Sequence, residues 1–127
     1  MKDFRDLQVW SKSHTLTLRA YEITAGFPKC EIYGLTSQIR RCSASVAANI
    51  AEGCGKRGNA EFQLYLGIAA GSASALEYHF LQARDLHLVA EGEYENLNYA
   101  VAEIKRMLSS LICKIEGGSQ SWLNAKC

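Results

Sequence analysis

The sequence is poor in proline and contains no long hydrophobic run. Pro28 is the single proline, and because proline interrupts helices, its scarcity permits long uninterrupted ones. No apolar stretch reaches the ~18 residues that a membrane-spanning helix needs. The first residues, MKDFRDLQVW, contain acids where a signal peptide requires an apolar centre. We therefore expect a helical cytoplasmic protein without a membrane span.

Closely spaced cysteine pairs and a strong net charge are absent as well. The five cysteines, an odd number with no close pair, favour reduced thiols over a disulfide framework. The formal net charge of +1 provides no overall attraction to nucleic acid or to a membrane surface. Any such binding must therefore depend on a local patch of charge.

What remains is the composition of one globular domain, arranged in four helical stretches. The 127 residues, 48% hydrophobic and 21% charged, are enough for a single core. Apolar residues recur every three or four positions in four segments, which run from just after Asp6 to about Ala25, from Leu35 to Gly53, from a cap at Asn59 to about His87, and from a turn at Leu88–Gly92 to Gly117. The short links predict an all-α, antiparallel up-and-down four-helix bundle over residues 1–118, followed by a short tail, residues 119–127.

Each predicted helix has an apolar stripe that we expect to face the core. The stripes are Leu7, Trp10, His14, Leu18 and Tyr21 in the first helix; Leu35, Ile39, Cys42, Val46, Ile50 and Gly53 in the second; Phe62, Leu66, Ala69, Ala73, Leu76, Phe80 and Ala83 in the third; and Tyr94, Leu97, Val101, Ile104, Leu108, Leu111 and Ile115 in the fourth.

The outer sides of the second and third helices are unusually small and uncharged. An exposed helix face normally carries charge, so small residues there predict that another surface packs against it. We expect an interface between copies of the chain that includes Ala44, Ala47, Ala48, Ala51 and Gly71.

Four segments also resemble a known family. FRDLQVW, FPKCEIYGLTSQIRRCSASVAANIAEG, EFQLYLGIAAGSASALEY and IKRMLSSLI are similar, in order and spacing, to the four-helix-bundle proteins encoded in bacterial 23S rRNA intervening sequences. A related group is the accessory variability proteins of diversity-generating retroelements. The resemblance implies an up-and-down bundle that assembles into a ring-shaped homopentamer, and association with RNA or other nucleic acid for at least some members.

A set of basic residues is the candidate nucleic-acid site. Arg40, Arg41, Lys56 and Arg57 carry cations that pair with phosphates. A ring would repeat this set in every subunit, as a basic rim opposite the acids between Asp85 and Glu95. The alternative is that Arg41 pairs with Glu52 or Glu77 while Lys56 and Arg57 are only solvated.

Enzymatic, cofactor and metal chemistry find no support in the residue pattern. The polar stripe Gln38, Arg41, Asn49 and Glu52 could form a small-molecule or catalytic site within the bundle, but polar groups in bundles more often fix register and partner choice. The three histidines have neither zinc-motif nor di-iron spacing. Cys54 could have a lowered pKa beside Lys56 and Arg57, yet no histidine partner is apparent.

The residue pattern therefore supports two functions, while an enzyme that uses the bundle interior has no recognisable set of residues behind it. The first is a non-enzymatic, ring-forming bundle that binds RNA or DNA through the basic rim and needs no cofactor. The second is a ring that serves as a scaffold for other proteins and binds no nucleic acid.

Overall fold

The computed structural model describes residues 2–117 as four α-helices joined by short connections. The helices are α1 Gln8–Thr24, α2 Leu35–Cys54, α3 Asn59–Asp85 and α4 Glu91–Glu116, with short 3-10 helices at Phe4–Asp6 and Lys29–Glu31. No strand occurs within this range. The all-α prediction is confirmed, whereas the predicted tail, residues 119–127, lies outside the described residues.

The helices run alternately up and down, which gives the bundle two ends. At one end, Lys2 N donates a hydrogen bond to Cys54 O at 2.9 Å, and Gln63 Nε2 donates one to Glu116 Oε2 at 2.8 Å. We refer to this as the α2–α3 end, since it contains the connection between those helices. The other end, the α3–α4 end, also contains the α1–α2 connection, because Arg40 of α2 reaches Thr24 at the end of α1.

The predicted core faces of α2, α3 and α4 are confirmed. All seven residues predicted to face the core from α3 are buried. In α4 the four central members, from Leu97 to Leu108, are buried. In α2 the stripe is buried except for Cys42, which is half-buried, and Ser43 is an additional core residue.

The predicted core face of α1 is wrong. The buried residues are Val9, Ser13, Leu16, Ala20 and Thr24, whereas Leu18 is 55% exposed and Tyr21 is 45% exposed. The reason is that small and hydroxyl-bearing residues let α1 approach α2 closely. Their hydroxyls are satisfied by nearby carbonyls: Ser13 donates to Val9 O at 2.7 Å, and Thr17 donates across to Ser43 O at 3.0 Å.

The helix ends differ from the prediction by one or two residues. Leu7 and Gly58 occupy the N-cap positions of α1 and α3, in place of the predicted Asp6 and Asn59, and neither cap makes a side-chain hydrogen bond.

At the end of α3, His87 takes the left-handed conformation with φ of 60°. Leu88 N then donates to Ala83 O at 2.8 Å. This pattern closes a helix, so α3 ends before His87.

Gly53 permits the close approach of α2 and α3. A Cβ at this position would lie 3.0 Å from Tyr65 Cβ, 3.1 Å from Phe62 Cδ1 and 3.3 Å from the Phe62 carbonyl oxygen. We expect Gly53→Ala to lower the free energy of unfolding by about 1–2 kcal/mol, because overpacking outweighs the gain in helix propensity.

Urea titration of Gly53→Ala beside Gly92→Ala checks this expectation. A Cβ at Gly92, in the first turn of α4, would meet nothing within 4 Å, so that substitution should leave stability unchanged or raise it by up to about 1 kcal/mol. Equal stability of the two variants would contradict the close-packing argument.

Candidate nucleic-acid interface

Cations gather at the α2–α3 end from two parts of the chain. Lys56 and Arg57 lie in the short connection between α2 and α3. Lys2 is held next to them by its backbone hydrogen bond to Cys54. Its Nζ lies 4.8 Å from the centre of the Phe62 ring, and Lys56 Nζ lies 5.3 Å from that of Tyr65. Each ammonium group is therefore positioned over an aromatic ring.

Arg57 differs from its two neighbours in having no partner among residues 2–117. It is exposed and makes neither a hydrogen bond nor an ion pair there. Its guanidinium can therefore offer all five N–H donors to an anion. We call Lys2, Lys56 and Arg57 the cationic end.

The other two predicted basic residues lie far from the cationic end. Arg40 and Arg41 lie about 20 Å from the end of α2 at Cys54, at a rise of about 1.5 Å per residue, and Lys56 follows that end. Arg40 is engaged within the bundle, since its Nε donates to Thr24 Oγ1 at 2.9 Å and its guanidinium covers the Tyr21 ring. The structure therefore does not unite the four basic residues in one patch.

Arg41 is exposed and does not form the internal pairs considered from the sequence. It makes no ion pair with Glu52 or Glu77. Glu77 instead accepts a hydrogen bond from Lys105 Nζ at 2.8 Å. Arg41 is therefore available to contact an anion, but it lies in the half of the bundle nearer the α3–α4 end, away from the cationic end.

The predicted separation into a basic end and an acidic end is weaker than expected. Two of the acids at the α3–α4 end are paired, Asp85 with Arg84 at 3.0 Å and Glu93 with Arg19. Antiparallel topology also places Arg40 and Arg41 toward this end. The separation is weaker because Arg84, just before the acidic segment, pairs with Asp85, and because α1 and α2 contribute Arg19, Arg40 and Arg41 to the same end.

The polar stripe of α2 joins two helices. Ser45 Oγ and Ser72 Oγ are 2.8 Å apart, and Asn49 Nδ2 donates to Ser45 O at 2.8 Å. Gln38 and Glu52, farther along the stripe, are exposed. Among the described residues, every buried side-chain nitrogen and oxygen has a hydrogen-bond partner. The central part of the stripe thus connects α2 to α3.

The structure does not favour a reactive Cys54. This thiol is 1% exposed, and burial raises its pKa, against a smaller lowering by Lys2. The predicted lowering of the Cys54 pKa by Lys56 and Arg57 is therefore wrong, because the side chain points into the core.

The described residues contain no cluster of three or more histidine, cysteine or acidic side chains suited to a metal ion. None of the helices described is long and apolar enough to cross a membrane.

The residues predicted to contact another copy differ in their accessibility. Ala48 and Gly71 are exposed, Ala44 and Ala51 are half-buried, and Ala47 is buried within the chain itself. Ala47 therefore has little surface left to offer, while the other four remain accessible.

A stripe of exposed apolar residues on α3 went unnoticed in the sequence. Leu64 is 60% exposed, Ile68 is 44% exposed and Tyr78 is 56% exposed. Their spacing of four and ten residues puts them on one face together with Gly71. The available signal was the lack of any charged residue between Phe62 and Leu76. We call these four residues the α3 stripe.

A second apolar surface lies on the opposite side of the bundle. It follows α1 through Trp10, His14, Leu18 and Tyr21, where the Trp10 and His14 rings stack at 5.0 Å. Since Tyr21 contacts Arg40, this side of α1 borders the alanines of α2. We call the four α1 residues, with Ala44, Ala48 and Ala51, the α1–α2 surface.

The fold and its surfaces define an up-and-down four-helix bundle protein with exposed apolar faces. The family model of the 23S rRNA-intervening sequence protein matches residues 5–110, and the chain belongs to that family. A solved structure of a protein of unknown function from the S23 ribosomal protein family of Bacteroides thetaiotaomicron is similar, with a TM-score of 0.74 and 27% identity. The match covers 82% of this chain and 97% of that chain. No curated protein matches.

Proposed function

We propose that this chain is a non-enzymatic bundle that forms a ring, with five copies as the expected number, and binds nucleic acid, preferably RNA, through its cationic end. The observation that carries the nucleic-acid proposal is the convergence of Lys2, Lys56 and Arg57. The family name, which refers to an rRNA insertion, is consistent with an RNA partner.

Self-association is supported by the position of the two apolar surfaces. The α3 stripe and the α1–α2 surface lie on different helices, and α1 and α3 are diagonally opposite in a four-helix bundle. Contact between two different surfaces is heterologous, and it closes into a ring when the rotation between copies allows. Single-surface contact would instead favour a twofold dimer.

The ring also accounts for how a modest cationic end could bind RNA. One copy offers three cations, and Asp3, Glu52 and Glu61 are close to them in the sequence. Repeating the site in each subunit raises the overall affinity through multivalency without new contacts. Binding through phosphates should weaken as salt rises.

A scaffold function is the second candidate, and the α3 stripe favours it. An exposed apolar face can bind another protein as readily as a second copy. In that case we expect the ring to bind no RNA at physiological salt.

Reversing charge at the cationic end should weaken RNA binding. For Lys56→Glu with Arg57→Glu we expect affinity for a labelled RNA to fall at least about tenfold, because two phosphate contacts become repulsive. Fluorescence anisotropy at fixed salt measures the change.

The matched control reverses two cations elsewhere. Lys29→Glu with Arg41→Glu makes the same change in charge at the other end of the bundle and should alter affinity less than about threefold. Equal losses in the two double variants would contradict the assignment of the cationic end. Unchanged affinity in the first variant would do so as well.

A further inference from the structure

A groove follows the seam between α1 and α4, the most loosely packed neighbouring pair in the bundle. Its wider part has a volume of about 700 Å³ and lies between Gln8–Arg19 of α1 and Asn96–Ile104 of α4. A second part, of about 450 Å³, continues it to Lys114. Since Gln8 and Glu103 line both parts, the two form one groove about 20 Å long.

The floor of the groove is aliphatic. Leu16, Leu97, Ala100 and Ile104 line the wider part. Val9, Met107 and Leu111 line the continuation. Among residues 2–117, the lining contains no aromatic ring on which a nucleic-acid base could stack. Aliphatic side chains of a protein partner suit this floor better than bases do.

The walls of the groove carry more positive than negative charge. In the part of the chain that the structure describes, the lining includes four cations, Lys12, Arg19, Arg106 and Lys114, and one acid, Glu103. Arg106 and Lys114 are exposed and make no ion pair among residues 2–117. Lys12 pairs with Glu103 at 3.3 Å, with about a third of each side chain exposed. Arg19 pairs with Glu93, which lies beside the groove. Such partly exposed pairs contribute little, so a partner carboxylate can replace either acid.

We propose that this groove binds an acidic amphipathic helix of a partner protein. The apolar side of the helix would lie on the aliphatic floor, and its carboxylates would face Lys12, Arg19, Arg106 and Lys114. The groove accommodates about four helical turns, which is typical of helix-in-groove recognition. It lies on neither the cationic end, the α3 stripe nor the α1–α2 surface, so this inference is independent of the proposed function.

The test measures peptide binding to the full-length protein by fluorescence anisotropy. The probe is a labelled 18-residue peptide with leucines at helical spacing and glutamates elsewhere, beside a matched peptide with lysines in place of the glutamates. The glutamate peptide should bind at least about tenfold more tightly than the lysine peptide.

Two variants locate the binding. Ala100→Trp fills the floor, and Arg106→Glu with Lys114→Glu reverses exposed charge without touching the core; each should lower affinity for the glutamate peptide by about tenfold or more. Lys29→Glu with Arg41→Glu, the same change in charge on another face, should have less than about a threefold effect. Lys56→Glu with Arg57→Glu should also leave peptide affinity unchanged, which separates this test from RNA binding.

Several outcomes would overturn the proposal. They are no detectable binding of the glutamate peptide, equal binding of both peptides, or glutamate-peptide binding that neither groove variant weakens. Competition by an 18-nucleotide oligouridine whose own binding is lost in Ala100→Trp would assign the groove to nucleic acid. A change of mass in solution for Ala100→Trp, without peptide binding by the parent, would assign it to a second copy.

Discussion

Replacing Ile68 with glutamate should convert the proposed ring into single chains. Ile68 is 44% exposed in the isolated chain and lies between Leu64 and Gly71 on the uncharged α3 stripe. If a second copy covers this stripe, the new carboxylate becomes buried without a partner. That costs several kcal/mol, and every 1.4 kcal/mol weakens association about tenfold. Light scattering at micromolar concentration measures the mass.

The control for this experiment is Tyr99→Glu. Tyr99 is 67% exposed on α4 and lies outside the cationic end, the α3 stripe, the α1–α2 surface and the groove, so the same added charge should leave the mass unchanged. If the Ile68→Glu protein kept the parent mass, the α3 stripe would not be the interface. A parent protein that is itself a single chain would contradict the ring.

Replacing Phe80 with alanine should cause a large loss of stability. Phe80 is 1% exposed and is the largest fully buried side chain among residues 2–117. Its removal loses apolar burial and leaves a cavity, so we expect the free energy of unfolding to fall by about 3–5 kcal/mol. Urea denaturation followed by circular dichroism measures the loss.

Tyr99→Ala provides the comparison for an exposed aromatic residue. It should change stability by no more than about 0.5 kcal/mol. Similar losses for the two variants would contradict the placement of α3 in the core. A Phe80→Ala protein as stable as the parent would also contradict the placement of α3 in the core.

The contrast between α1 and α3 explains why only part of the fold could be predicted. In α3 all seven residues predicted to face the core are buried, because they recur every three or four positions along the whole helix, although the exposed α3 stripe is apolar as well. In α1, Leu18 and Tyr21 form a more apolar stripe than Ser13 and Ala20, which are the residues buried. Periodicity identifies an apolar face, but it cannot distinguish a face that packs within the chain from one left at the surface.

The candidate site was less predictable than the fold, because its residues come together only in three dimensions. Spacing in the sequence grouped Arg40 with Lys56, although the length of α2 separates them. Lys2 was missed, since only its hydrogen bond to Cys54 brings the start of the chain to the α2–α3 connection. The role of Arg40 in holding the end of α1 depends on Thr24 and Tyr21, which sequence alone did not connect to it.

The most direct test of the account measures RNA affinity at several salt concentrations, with the mass of the protein recorded in the same buffers. We predict that an assembly of several chains binds RNA, and that affinity falls at least about tenfold between about 50 and 200 mM salt, as phosphate contacts require. Absence of RNA binding at the lower salt concentration, or affinity that does not change with salt, would contradict the proposed nucleic-acid function.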